Sequence, residues 1–117
     1  MPLLNSLNYY GQALEVGARV ANLTAANIAN ADTPGYKARG LDFKRALDAR
    51  LQTHDPVRAQ YVRGLPVGLD GNNVSLGYEA MQAASNAARM RESLAFLKGD
   101  TQSLITALRP QANGQGG

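Results

Sequence analysis

The sequence ANLTAANIANADTPGYK, residues 21–37, decides where the first long helix of this chain ends. Small and aliphatic residues favour a helix up to about Ala31. Asp32–Gly35 stops it, because proline lacks an N–H and disfavours helical geometry in the residue before it. Pro34-Gly35 is typical of the central positions of a type II turn, whose second residue needs a positive φ. We therefore predict a long N-terminal helix that ends in a defined turn, after which a different segment begins at Tyr36.

Two rows of apolar and small residues run along this predicted helix. The first row has alternating spacings of four and three, which is typical of helices that pack side by side. The second row begins two residues after a member of the first and lies on the opposite side, since each residue advances the helix by about 100°. A helix on a globular core shows one apolar stripe, so two rows indicate partners on both sides. The first row is Leu3, Leu7, Tyr10, Leu14, Gly17, Ala21, Thr24, Ile28 and Ala31, and the second is Tyr9, Ala13, Val16, Val20, Leu23, Asn27 and Asn30.

A second long helix is predicted from about Val74 to Leu108. Asn73 or Ser75 can serve as its N-cap, and Glu79 falls in the first turns, where the helix dipole favours an anion. The helix again carries two rows, so it is also expected to pack on two sides. The first row is Leu76, Ala80, Ala83, Ala87, Met90, Leu94, Leu97, Thr101, Leu104 and Leu108, and the second is Tyr78, Met81, Ser85, Ala88, Glu92, Ala95 and Gly99.

The segment between the two helices is expected to have little regular structure. Asp42 is a suitable N-cap for a short helix through Leu51. Residues 57–67 permit a short extended piece, but Gly64, Pro66 and Gly68 argue against a long strand. The predicted organisation is an N-terminal helix and turn (1–35), a middle segment (36–73), a C-terminal helix (74–109) and a flexible tail (110–117).

The predicted fold class is mainly α, with two long terminal helices packed as an antiparallel coiled-coil-like hairpin. Its rows are rich in Ala, Gly and Thr. Burial of a Leu side chain contributes about 1.5–3 kcal/mol, burial of Ala much less, and ordering the backbone of one residue costs about 1–2 kcal/mol. A lone hairpin of this kind is expected to be marginally stable. Neighbouring subunits are expected to complete its core.

The composition argues against several classes of function. The 117 residues include 12 Lys and Arg and 9 Asp and Glu, a net charge of +3, and acidic residues interrupt the densest basic region. A clustered nucleic-acid surface is therefore not predicted. The chain has no cysteine and one histidine, His54, from which no catalytic set can be built. No enzyme activity, metal or cofactor is predicted. Neither a Sec-type signal peptide nor an apolar run long enough for a membrane span is recognisable.

Residues 22–38, NLTAANIANADTPGYKA, resemble the N-terminal signature of the flagellar axial proteins, which are the rod, hook and hook-associated subunits. The short length, Leu41-Asp42-Phe43 and the sequence 69–74 (LDGNNV) are similar to the proximal-rod subunits of the FlgB type. The resemblance covers nearly the whole chain except 52–67. It implies a structural subunit of the periplasmic rod of the basal body, whose terminal helices stack with neighbours into a torque-transmitting drive shaft.

The resemblance also implies partners and a route. The partners are other copies of the chain, adjacent rod subunits and the membrane-ring and export-gate end of the basal body, with no nucleic acid and no membrane span. The chain would leave the cytoplasm unfolded through the flagellar type III apparatus, without a cleaved signal peptide. Two alternatives remain at this point: the neighbouring proximal-rod subunit of the same family, or a basic helical adaptor that binds nucleic acid or protein, for which salt-sensitive oligonucleotide binding is expected.

Three groups of residues are candidates for assembly. Asn22, Asn27 and Asn30 have two interpretations: they close the helix locally, or their amides bond to adjacent subunits and fix the register, as a buried Asn does in coiled coils. The candidate subunit-interface residues are Leu7, Tyr10, Leu14, Val16, Val20, Asn22, Leu23, Asn27, Ile28, Asn30, Met81, Met90, Leu94, Leu97 and Leu104. The turn motif is Asp32, Thr33, Pro34, Gly35 and Tyr36, and the start of the C-terminal helix is marked by Asp70, Gly71, Asn72 and Asn73.

Overall fold

The computed structural model describes residues 2–109, so the predicted tail, 110–117, lies outside the described residues. The chain is mainly α and elongated, with principal extents of 72 × 26 × 17 Å. The two long helices pack against each other as an antiparallel hairpin, which confirms the predicted fold class. The elements in chain order are α1 (Pro2–Ala29), β1 (Arg39–Gly40), α2 (Phe43–Thr53), β2 (Gln60–Tyr61) and α3 (Leu76–Leu108).

The first long helix ends at the predicted turn. α1 stops at Ala29, two residues before the expected end. The backbone N–H of Tyr36 donates to the carbonyl of Thr33 at 3.2 Å, and Gly35 has a φ of +76°. A positive φ at the third of four residues is the mark of a type II turn, so the predicted turn is confirmed.

The short middle helix is also capped as the sequence predicts. The side chain of Asp42 accepts a hydrogen bond from the backbone N–H of Arg45 at 2.9 Å at the start of α2. His54 ends α2 in a left-handed conformation, and its N–H donates to the carbonyl of Arg50 at 3.0 Å. The lone histidine is therefore an exposed helix cap.

The extended pieces of the middle segment pair with each other. β1 and β2 form an antiparallel ribbon in which Arg39 lies opposite Tyr61 and Gly40 opposite Gln60. The N–H of Val62 extends the pairing by donating to the carbonyl of Ala38 at 2.9 Å. The predicted extended piece around Tyr61 is thus present, but its partner strand was not anticipated.

α2 packs across α1 and forms the small apolar core of the chain. Val16, Val20 and Ala46 are buried there, with Leu41, Phe43 and Val57 packed around them. The guanidinium of Arg50 pairs with Glu15 at 2.8 Å and donates to Gln12 at 2.9 Å, which holds α2 in place. The second row of α1 was expected to face neighbouring subunits, and at Val16 and Val20 this expectation is wrong because the chain covers these positions itself.

The face that α3 turns toward α1 is polar. Its buried residues are Glu79, Asn86 and Ser93, which repeat every seven residues. The amide of Asn86 donates to the carbonyl of Gly17 at 2.9 Å. A Cβ at Gly17 would lie 2.7 Å from Cγ of Met90, so the two helices approach closely here.

The predicted first row of α3 is consequently buried only in part. Its members Leu76, Ala80, Ala83, Leu94, Thr101 and Leu108 are exposed, whereas Ala87, Met90, Leu97 and Leu104 are half-buried. Two hydrogen bonds hold polar residues of α3 on the inner face: Asn27 donates to Glu79, and Asn86 donates to the carbonyl of Gly17. The predicted first row of α1 is likewise exposed in part, at Ala21 and Ile28, whereas Gly17 and Thr24 are buried.

Candidate assembly site

Asn27 lies at the centre of a buried hydrogen-bond network and is only 2% exposed. Its Nδ2 donates to the carbonyl of Arg39 at 2.8 Å and to Oε1 of Glu79 at 3.0 Å. Its Oδ1 accepts from the hydroxyl of Tyr36 at 3.0 Å and from the N–H of Arg39 at 3.1 Å. An amide has two donors and two acceptor positions, so every hydrogen-bonding group of Asn27 is used within the chain.

Asn72 and Asn73 connect the start of α3 to the turn after α1. The amide nitrogen of Asn72 donates to the carbonyls of Asn30 and Thr33, both at 2.8 Å. The side-chain oxygen of Asn73 accepts from the N–H of Ala38 at 2.6 Å. We name the buried Asn27, Asn72 and Asn73 the asparagine cluster. It joins three segments that are far apart in the sequence.

The turn motif and the helix-start motif therefore form one structure. The N–H of Gly35 donates to the carbonyl of Asp70 at 2.8 Å, and the amine of Lys37 donates to the carbonyl of Gly71. Gly71 has a φ of +84°, and a Cβ there would lie 3.3 Å from the Cα of Gly35. The two motifs contact each other through their glycines, a closeness that the sequence alone did not reveal.

The structure distinguishes the two interpretations of the asparagines. Asn27 has no group left for a neighbouring subunit, so its expected role across a subunit boundary is replaced by a role inside the chain. Asn30 donates to the carbonyl of Ala26 at 2.8 Å and accepts from the hydroxyl of Thr33 at 3.0 Å, which closes the helix end locally. Asn22 is exposed on α1 and is still available to a neighbour.

The remaining interface candidates fall into two groups by exposure. Leu7, Tyr10, Leu14, Leu23, Met90, Leu97 and Leu104 are half-buried along the hairpin, and Ile28, Met81 and Leu94 are exposed. Their contact with another subunit stays a prediction.

Six exposed large apolar side chains lie where the N-terminus of α1 meets the C-terminal half of α3. We name this surface the apolar end, and its residues are Leu4, Tyr9, Leu94, Phe96, Ile105 and Leu108. At this end the ring of Tyr10 on α1 stacks on the ring of Phe96 on α3, with centroids 5.2 Å apart, and this contact aligns the two helices. Leu94 and Ile105 lie on one face of α3, and Phe96 lies about opposite. Apolar side chains therefore point outward on more than one side.

Sequence reasoning missed the buried position of Glu79, which is 1% exposed and whose Oε2 has no hydrogen-bond partner within residues 2–109. The signal was present: Glu79, Asn86, Ser93 and Asp100 repeat at intervals of seven. Polar residues that recur every seven positions lie on one face of a helix, just as apolar residues with that spacing do. Glu79 was expected to be stabilised by the dipole of α3, and in the structure its carboxylate also accepts a hydrogen bond from Asn27.

No group of His, Cys, Asp and Glu residues that could hold a metal ion is present in the described part of the chain. No helix between residues 2 and 109 has both the length and the apolarity required to cross a bilayer.

The comparison with protein families indicates the class of protein. A family model described as "Flagella basal body rod protein" matches residues 18–37. This stretch contains the end of α1, Asn27 and the type II turn, which are the parts that the asparagine cluster joins to α3. The match thus falls on the segment that the hydrogen bonds of the asparagine cluster hold in place, and it indicates the class of flagellar rod proteins.

Curated relatives match over most of their length. The "Flagellar basal body rod protein FlgB" of Cereibacter sphaeroides is 35% identical, with 90% of this chain and 94% of the relative covered. The protein of the same name from Escherichia coli (strain K12) is 32% identical, with 89% and 93% covered. That from Aeromonas hydrophila is 33% identical, with 83% and 87% covered. The chain belongs to the FlgB family of flagellar basal body rod proteins.

Proposed function

We propose that this chain is a structural, non-enzymatic subunit of the proximal rod of the flagellar basal body. It assembles by packing its two long helices against other copies of itself, against adjacent rod subunits and against the membrane-ring and export-gate end of the basal body. In the assembled rod it forms part of the drive shaft that transmits torque. The single observation that carries this proposal is the bare apolar end of the helical hairpin.

The shape of the chain supports this role. Its radius of gyration is 19.5 Å, whereas a globular domain of this length has roughly 13 Å. Helices of 28 and 33 residues span roughly 40 and 50 Å at 1.5 Å per residue. Two helices of this length give each subunit an extended surface that can contact several neighbours. Many such contacts resist shear when the shaft turns.

The surface supports it as well. Outside the small core under α2, several large apolar side chains of the hairpin are exposed by about half or more, including Leu94 at 57% and Leu108 at 75%. Six exposed large apolar side chains within one half of the hairpin favour an interaction surface there. Because the side chains point to several sides of the hairpin, more than one neighbour is needed to cover them.

The proposal includes the route to the rod. A hairpin with few buried apolar residues in its terminal half can be kept unfolded or be unfolded at small cost, because little burial free energy opposes extension of the chain. Passage as an extended chain through the flagellar type III apparatus, without cleavage of a signal peptide, is consistent with that property.

The test is genetic and biochemical. Cells that lack this chain should be non-motile, and expression of the chain should restore swimming. Mass spectrometry of purified basal bodies should find the chain in the rod fraction, with its N-terminal residues from Pro2 onward retained. Full motility without the chain, or its absence from purified basal bodies, would contradict the proposed function. Loss of an N-terminal segment as long as a signal peptide would contradict the proposed route only.

A further inference from the structure

A second surface feature, separate from the apolar end, is a groove of about 520 Å³ between α1 and the segment that leads into β2. Its lining contains three arginines and no acidic residue. The groove is lined by Arg19, Asn22, Leu23, Arg39, Arg58 and Ala59.

The three arginines have no counter-charge in the described part of the chain, where the ion pair found is that of Arg50 with Glu15. Two carboxylates line adjoining cavities, but neither forms an ion pair with these arginines: Asp42 caps α2, and the buried Glu79 accepts from Asn27 through Oε1. Arg19 is half-buried, and its Nη1 is buried without a hydrogen-bond partner. A partly desolvated guanidinium without a partner is costly, and a carboxylate in the groove would lower that cost.

We propose that this arginine groove is the docking site for an acidic segment of a neighbouring rod subunit other than a copy of this chain. The inference rests on the proposed function and adds the chemistry of one partner to it. The planar guanidinium groups of Arg39 and Arg58 bind carboxylates with two parallel hydrogen bonds. Leu23 and Ala59 provide apolar contact for the aliphatic part of an Asp- or Glu-containing segment.

Charge argues for a different, acidic partner. The chain carries a net charge of +3, so a second copy would bring further positive charge to a positive groove, which disfavours association. A nucleic acid would need a basic surface that continues along its backbone. The basic residues beyond the groove in the middle segment alternate with Asp48 and Asp55, which interrupts such a surface.

The test uses the assembled rod in cells. The exposed Asn22, which lines the groove, is replaced by the photocrosslinking residue p-benzoylphenylalanine, and the crosslinked peptide is identified by mass spectrometry. We expect a peptide from a different rod subunit that contains at least two Asp or Glu residues. A crosslinker at the exposed Lys44, on α2 and outside the groove, should not capture this peptide.

Two double variants distinguish an effect of the groove arginines on crosslinking from an effect of the total charge of the chain. Arg39→Gln/Arg58→Gln should lower the yield of the Asn22 crosslink about tenfold, since each lost pair weakens docking severalfold. Arg63→Gln/Arg91→Gln removes the same charge from exposed positions outside the groove and should change the yield less than about twofold. Both variants replace exposed arginines, so folding should be retained, and circular dichroism checks this.

The proposal is overturned if the crosslinked peptide has no acidic residues, if it comes from a second copy of the chain, or if the crosslink goes to nucleic acid. Equal yields in the two double variants would overturn it too. These results leave the proposed function intact as long as the chain is found in basal bodies and is required for swimming. Absence from basal bodies would instead be a failure of the proposed function itself.

Discussion

Asn27 shows how one side chain can set the geometry of three segments. It lies near the end of α1 and bonds at once to Tyr36 in the turn, to the backbone of Arg39 in the ribbon and to Glu79 in the first turns of α3. A buried amide with all partners present is stabilising, whereas a buried group that loses its partner costs about 1–3 kcal/mol. The position therefore tolerates little change.

We predict that Asn27→Ala destabilises the folded chain by at least about 2 kcal/mol, because it leaves polar groups of Tyr36, Arg39 and Glu79 unpaired. Asn22→Ala is the matched control on the same helix, and its effect should stay within about 0.5 kcal/mol. Urea denaturation followed by circular dichroism measures both. Equal stability of the two variants would mean that the network contributes nothing.

The sequence predicted the residue types of this network but not their partners. The periodicity of α1 placed Asn27 in a row of possible contacts, and the turn chemistry of Pro34-Gly35 was recognised locally. Which backbone groups would face Asn27 depends on how residues 36–73 fold back, and no local rule specifies that path. The intermolecular interpretation of Asn27 failed for this reason.

At the scale of the elements, the helix boundaries were the most predictable feature. The N-cap at Asp42, Ser75 as one of two N-cap candidates for α3 and the type II turn all follow from short-range chemistry. The buried faces were less predictable. The buried side of α1 depends on its contacts with α2, and the buried residues of α3 form a polar heptad that belongs to neither predicted row. Both are long-range effects.

Substitution of Val20 tests whether α2 buries this face of α1. Val20→Asp should destabilise the chain by about 3 kcal/mol or more, because it places an unpaired charge in the small core beside Ala46. Ala18→Asp, at an exposed position of α1, should cost less than about 1 kcal/mol, as expected from helix propensity. Denaturation of the two purified variants gives the comparison. If Val20→Asp is as stable as Ala18→Asp, α2 does not cover this face.

The apolar end is tested by a pair of substitutions on one face of α3. Leu94→Gln/Ile105→Gln should leave the helix content of the isolated chain within about a tenth of the original, since both side chains are already largely exposed. The same double variant should abolish or strongly reduce swimming, because the new amides would be buried without partners between subunits.

Glu92→Gln/Ser103→Gln is the matched control, with the same spacing and with both positions exposed on α3. It should swim normally on soft agar. Normal swimming of the Leu94→Gln/Ile105→Gln variant would show that this face is not covered in the rod.

The whole molecule divides into two halves of different character. In one half, α2, the ribbon and the asparagine cluster brace the hairpin with buried apolar contacts and satisfied hydrogen bonds. In the other half, the two helices contact only each other, and several of their large apolar side chains are exposed. Stability within one chain varies with such local packing. The braced half should therefore fold alone, and the apolar end should become ordered when neighbours cover it.

Hydrogen exchange measured by mass spectrometry, on the isolated chain and on purified basal bodies, tests this account most directly. For the isolated chain we predict slow exchange in residues 13–30 and 72–90 and fast exchange in 2–11 and 94–108. In basal bodies both helices should be protected along their length. Slow exchange throughout both helices of the isolated chain would contradict the claim that neighbouring subunits complete the fold.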